Sequence, residues 1–146
     1  MYRQANTHRH LMEAIVPGNP EGLSARALHA QAWPLVEPVL RSARDAAVGR
    51  YQAARGTGLA TDDLLEALCA AADGRVDVLF VPIGVQRWGT FDEWTRQATL
   101  HRSPQGDDED LLNDVAVRTV LTGGTVYTVR PDEMPDGSLI AALFRY

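Results

Sequence analysis

There is no lysine in this chain: all 14 of its basic residues are arginine. Such uniform use of one basic residue reflects genomic base composition more than a demand for bidentate recognition at every site. Cysteine occurs once, at Cys69, which excludes an internal disulfide and any Cys-x-x-Cys metal or redox pair. No apolar run approaches the length of a membrane span, and Met1-Tyr2-Arg3-Gln4-Ala5-Asn6 lacks the apolar stretch of a signal peptide, so a cytoplasmic address with no membrane partner is expected. Catalytic signatures are missing too: there is no Gly-x-x-x-x-Gly-Lys phosphate loop, no Gly-x-Ser-x-Gly elbow and no His-Glu-x-x-His helix. No cofactor and no metal are expected. The one acid cluster, Asp107-Asp108-Glu109-Asp110, sets its side chains diverging and lacks the alternating spacing of a calcium loop.

At 146 residues, 45% hydrophobic and 23% charged, the chain can bury one core of ordinary size and reads as one domain with an attached arm. Its formal charge of -5 is unevenly spread. Residues 1–75 balance 8 Arg against 8 acids, while residues 76–146 carry 6 Arg and 11 acids. A domain that holds nucleic acid through phosphates is expected to be basic along at least one face, so this balance disfavours strong nonspecific RNA or DNA binding.

Residues 1–22 are rich in Asn, His, Pro and Gly without a sustained period, and Val16-Pro17-Gly18-Asn19-Pro20 can hardly be helix or strand; they read as an arm or linker. A single α/β domain is expected over 23–146, with a helical part over 23–57 and a sandwich core over 58–146 that carries an inserted hairpin at 87–101. Leu23 and Ser24 offer a hydrophobic staple and an N-cap to a helical pattern that reaches Ala54. Pro34 and Pro38 predict a break, with the second piece running from near Glu37 to Gly56. A further helix is expected from a cap at Thr61 to Asp73-Gly74, with Cys69 buried on its apolar face. Val76–Val81 reads as a strand, Arg87–Phe91 and Arg96–Leu100 as a protruding hairpin, and Glu109–Leu121 as a helix stopped by Gly123-Gly124. Thr125–Val129 and Leu139–Arg145 then read as strands joined through Met134-Pro135-Asp136-Gly137.

The hairpin supplies the candidate contact residues. Arg87, Trp88, Trp94, Arg96 and Arg102 interleave aromatic planes with guanidinium groups, a combination that can stack bases, meet phosphates or dock a protein partner. The plainer reading is that Trp88 and Phe91 anchor the hairpin, that Trp94 covers apolar surface, and that Trp33 packs where the first helix bends. The exposed aromatics and an edge strand would also suit a homodimer. Among the histidines, His8 and His10 lie in the arm near Glu13, His29 on the first helix and His101 at the end of the hairpin. None has a Ser, Cys or carboxylate at catalytic spacing, so no catalytic residue is assigned, and a small hydrolase whose site assembles only in the fold stands as the alternative.

The succession Leu64-Leu65-Glu66-Ala67-Leu68, Gly74-Arg75-Val76-Asp77-Val78-Leu79-Phe80-Val81, Asp110-Leu111-Leu112, Gly123-Gly124-Thr125-Val126-Tyr127 and Ile140-Ala141-Ala142-Leu143-Phe144-Arg145-Tyr146 resembles the C-terminal domain of archaeo-eukaryotic peptide release factors and Pelota. It is most similar to their bacterial relatives, the bacterial archaeo-eukaryotic release factor family, in which a segment similar to Tyr2–Thr7 and Gly18-Asn19-Pro20 joins the central domain to the C-terminal one. The resemblance covers nearly the whole chain, most specifically from about Leu59. It implies a three-layer α/β/α sandwich around a mixed sheet, like that of kink-turn-binding ribosomal proteins, and a noncatalytic interaction domain with a ribosomal or translation-factor partner. Peptide release in the family resides in a Gly-Gly-Gln loop, and here Gly123-Gly124 is followed by Thr125. Kink-turn binding is not implied: of the Gly-Asn-Glu core only Gly58 matches, and Asp62 and Asp63 would repel phosphate. The connector-like arm favours loss or truncation of upstream domains.

Overall fold

A computed structural model describes residues 11–146. The arm residues His8 and His10, and the segment Tyr2–Thr7, lie outside the described residues. Two compact units meet within one helix, Met1–Ala43 and Arg44–Tyr146. Residues 11–24 of the first unit form neither helix nor strand, in keeping with their Pro and Gly content. The Ser24 hydroxyl accepts the Ala27 N–H at 3.2 Å and so caps α1, Ala25–Ala54.

Contrary to the expected break, α1 is continuous through Pro34 and Pro38. The prolines are four apart, so the bonds they cannot donate would have gone to the carbonyls of Ala30 and Pro34. Both of those residues are exposed, where solvent can take the place of the missing donors. Trp33 is exposed as well, stacked on His29 with ring centroids 5.4 Å apart, rather than wedged at a bend.

The second unit is built on a four-stranded mixed sheet. Its strands are β1 (Ala60–Thr61), β2 (Val76–Pro82), β6 (Thr125–Val129) and β7 (Ala141–Phe144), in the order β1-β7-β2-β6. β2 pairs parallel with β6 and antiparallel with β7, and β1 pairs antiparallel with β7. Helix α2 (Leu64–Ala72) and helix α3 (Leu111–Leu121) cover one face, packing Ala67, Leu68, Leu112 and Val115 on Leu79, Val81 and Phe144. The C-terminal part of α1 covers the other, where Ala47 and Tyr51 meet Val78, Phe80 and Leu143. Burial raises the Tyr51 phenol pKa, with the Asp62 carboxylate adding to it. The expected α/β/α layering and mixed sheet are therefore present.

Strand β2 serves both cores by the alternation of its side chains, and a β-bulge near its start shifts that alternation. Val76 pairs with Phe144 and Val78 with Leu143, leaving Asp77 as an extra residue. Val76 thereby joins the α2/α3 side although Val78, two residues on, faces α1. The displaced Asp77 accepts from Arg50 Nη2 at 2.6 Å, which ties α1 to the bulge.

Several boundaries move from their sequence positions. Thr61 is not a helix cap but a strand residue opposite Ala142, its hydroxyl donating to Glu66; Asp63 caps α2, accepting the Glu66 N–H at 2.8 Å. Cys69 is only half-buried, because it lies on the flank of α2 that meets the hairpin. Glu109 and Asp110 form a short strand, β5, and α3 begins after it with Asp110 as N-cap. Tertiary pairing with the hairpin strand Trp88–Asp92 takes these residues from the helix, and pairing with β7 takes Thr61. Gly123 and Gly124 end α3 as expected. Gly123 has a φ of 81°, and Gly124 is packed so closely that a Cβ would lie 2.6 Å from Thr119 Cγ2 and 2.7 Å from the Val76 carbonyl oxygen.

The hairpin consists of β3 (Trp88–Asp92) and β4 (Gln97–His101), with β5 on its other edge, making a second sheet in the order β4-β3-β5. Asp92 Oδ1 accepts the N–H groups of Trp94 and Thr95 at 2.8 and 3.1 Å and shapes the turn. Arg96, left-handed at φ 57°, then reaches α2. Its guanidinium donates to both oxygens of Asp73 at 2.6 and 3.1 Å and to the Cys69 carbonyl at 3.1 Å. On the α3 side, Arg118 donates to Glu93 at 2.7 Å and Asp114 at 2.9 Å and lies over the Phe91 ring. The Arg96 hydrogen bond holds the Asp73 carboxyl below its ordinary pKa.

Two outcomes follow for the fold. Gly124→Ala should cost about 1–3 kcal/mol in urea unfolding, since the added methyl meets backbone as well as side chain, whereas Gly49→Ala, in open space on α1, should be neutral or stabilise by up to about 1 kcal/mol. Because the Asp73 pKa is depressed in the folded state, its ion pair contributes at neutral pH and is lost as pH falls through the folded value. The stability difference between wild type and Arg96→Ala should therefore be largest at neutral pH and close below the ordinary aspartate range, and amide exchange across 92–97 should quicken in the variant. A gap that does not change with pH would contradict this assignment.

Candidate functional site

The five hairpin residues singled out from sequence do not converge. Trp88 pairs with His101 at the open end of the hairpin, while Trp94 sits in the turn at the other end, about 13 Å away by strand rise. Strand alternation puts Phe91 and Ala98 toward the α2/α3 core and Trp88 on the opposite face, so Trp88 does not anchor the hairpin together with Phe91. Arg96 is occupied by Asp73. The Arg87 side chain donates to the Gln86 carbonyl at 3.0 Å, and its main chain binds the loop before α3, its N–H donating to Asp110 at 3.0 Å and its carbonyl accepting from Leu111 at 2.8 Å. Arg102 makes no ion pair among the described residues and is exposed.

What remains at the tip is Trp94, 93% exposed, on a turn fixed at both sides: by Glu93 to α3 and by Arg96 to α2. With the turn backbone beneath this large aromatic ring held by its neighbours, less of the loop is left to be ordered on binding. Arg118 is shared between Glu93 and Asp114, so this rim has two carboxylates for one guanidinium. Beyond Arg118, Leu121 continues the same line of α3 and is 79% exposed. The sequence reading missed the apolar residues of α3. Their signal is that Val117, Val120 and Leu121 are apolar in addition to the buried Leu111, Leu112 and Val115, more than one helix face requires.

Two other places bear on chemistry. The His101 Nδ1 faces both carboxylate oxygens of Asp108 at 2.8 and 2.9 Å, and Asp108 also accepts the Gln105 N–H at 3.0 Å. The pair closes the loop after β4, and among the described residues no hydroxyl or thiol hydrogen-bonds to the imidazole. A shallow cleft of about 310 Å3 lies between the C-terminal part of α1 and the sheet, floored by Phe80 and Val129. Its charged rim, Arg44 with Asp45 and Glu133, is paired within itself, and neither His29 nor His101 lines it. No group of three or more His, Cys, Asp or Glu side chains gathers to hold a metal ion among the described residues. None of their helices is long and apolar enough to cross a membrane.

Comparison with known proteins bears on kinship. No curated protein matches the sequence. Among solved structures, the fold is similar to the C-terminal domain of the peptide chain release factor from Methanosarcina mazei, with a TM-score of 0.58 at 14% identity over 86% of this chain and 97% of that one. At that identity the likeness speaks for the fold. The sequence model of bacterial archaeo-eukaryotic release factor family 3 matches residues 1–75. The match falls on the first half, whereas the resemblance was expected to be most specific from about Leu59 onward. By the span of that match, the chain belongs to bacterial archaeo-eukaryotic release factor family 3.

Proposed function

We propose that this chain is a noncatalytic interaction domain of a release-factor-like protein, docking in the cytoplasm to a protein partner on or near the ribosome. The observation that carries the reading is Trp94, an exposed aromatic side chain on a turn whose neighbours Glu93 and Arg96 are ion-paired to two helices. Tryptophan is enriched among the residues that dominate interface energies, and a pre-ordered turn avoids part of the entropy cost of association. The family membership and the release-factor C-terminal fold support the place in translation.

Charge favours protein over nucleic acid as the partner. Arg96 is neutralised by Asp73 and Arg118 by two carboxylates, which leaves Arg87 and Arg102 as the candidate guanidiniums without an ion pair among the described residues. Peptide release is not part of the proposal. No Gly-Gly-Gln occurs in the sequence, and Gly124 packs closely against Thr119 and the Val76 carbonyl at the end of α3.

Tagged protein used as bait in bacterial lysate, followed by mass spectrometry and RNA quantification, tests this. Ribosomal or translation-factor proteins should be retained, and Trp94→Ala should weaken their binding about tenfold or more, the loss of an interface anchor worth on the order of 2 kcal/mol. Retention of RNA alone, with affinity falling steeply as salt rises, would replace the protein-docking reading with an RNA-binding one. Retention of neither would remove both.

A further inference from the structure

Strand β6 forms the outer edge of the main sheet and is unguarded. Thr125-Val126-Tyr127-Thr128-Val129 contains no charge, proline or bulge, the usual devices that keep an edge from pairing. The opposite edge, β1, is two residues long. The Val129 carbonyl accepts from Ile83 at 2.8 Å, next to the end of β2, so the backbone groups of Val129, Tyr127 and Thr125 turn toward β2. Those of Val126 and Thr128 consequently turn outward, and among the described residues no other segment's backbone bonds to them.

The helix beside this edge is apolar on the same side. Along the sheet, α2 packs on β2 and β7 and α3 on β2 and β6, so the flank of α3 away from α2 stands over the open edge. Arg118 marks the hairpin flank. Ala116 and Val120, each two residues from it, lie about 200° around the helix. Val117 faces solvent between them. Val117 and Val120 are 46% and 59% exposed, and with Ala116 and Leu121 they line a shallow apolar depression.

We infer that a second copy of this chain covers the β6 edge, pairing β6 antiparallel with itself across a two-fold axis at Tyr127 and joining the two sheets into one. The parity of the strand suits this. Val126 of one copy stands opposite Thr128 of the other, and the reverse, and these are the residues whose backbone groups point outward, so both become hydrogen-bonded pairs. Charge suits it as well: the strand brings no charge opposite another, and Arg130 comes opposite the neutral Gly124. A stable dimer buries about 800 Å2 per partner, more than a five-residue edge supplies. The apolar flank of α3, meeting its own copy across the axis, provides the additional surface. This interface lies away from Trp94 and holds whether or not the partner proposed above is part of the translation machinery.

Sedimentation equilibrium on the full chain is the direct test. Wild type should have twice the chain mass at micromolar concentrations, and Trp94→Ala should leave that mass unchanged. Val120→Glu, which opposes like charges between the helices, and Thr128→Pro, which removes an outward donor but no bond to β2, should each give the single mass with helical content retained. Concentration-dependent hydrogen exchange of wild type gives a readout free of folding defects: the Val126 and Thr128 amides should lose protection on dilution while Tyr127 keeps it. A wild type of single mass up to about 100 µM, well above the Kd of a standard interface, or a dimer that persists in both edge variants, would overturn the proposal.

Discussion

Burial of β2 on both faces is the constraint that the rest of the sandwich answers. Phe80 and Leu79 are both fully enclosed, on opposite sides of the sheet, and neither can be covered by a hairpin or a single helix layer. Two helices close one side and the end of α1 closes the other. Alternate side chains of β2 feed the two cores, the bulge at Asp77 returns Val76 to the α2/α3 side, and Arg50 and Arg55, bound to Asp77 and Asp136, fasten α1 where its two buried side chains, Ala47 and Tyr51, make contact. These exposed ion pairs contribute little stability by themselves. Their role is register: they fix which turn of α1 lies over Phe80.

The hairpin is held by a different arrangement. Its base enters the core through Gly89 and Phe91, where Gly89 has no room for a side chain because its Cβ would fall 2.0 Å from the Thr99 carbonyl oxygen. Its tip is held by charge, with Arg96 on α2 and Glu93 on α3. An extension that would otherwise sway is thus tied at both ends, and the ring it presents, Trp94, is the one large aromatic of the described chain left almost wholly in water. Its exposure is the observation on which the proposed binding role rests.

The sheet treats its two inner strands and its outer strand β6 unequally. β2 and β7 are paired on both edges, while β6 keeps one edge open beside a helix whose outer flank is also apolar. Two unsatisfied features on one side of a domain point to one partner surface, and the hairpin tip on the far flank of α3 forms another.

Much of the architecture was legible in the chain. The run Val76–Val81 announced a strand, Gly123-Gly124 announced a helix stop, and Asp92 through Thr95 announced a turn between β-prone segments, because each depends on local propensity. The kinship was legible for the same reason. What the sequence did not reveal was anything set by pairing across distance. Thr61 and Glu109 went to strands because β7 and β3 were there to receive them; Pro34 and Pro38 stayed inside one helix because the carbonyls they strand are open to solvent. Whether the five Arg and Trp residues of the hairpin form one site is also a question of distance, and the structure separates them by the length of a strand. The sequence alone determined the order of elements, since periodicity and glycine placement are local, and its family resemblance implied the layers; only the tertiary structure decided which arginines are taken up by ion pairs, which aromatic is left exposed and which strand is left at the edge, since each depends on neighbours remote in the chain.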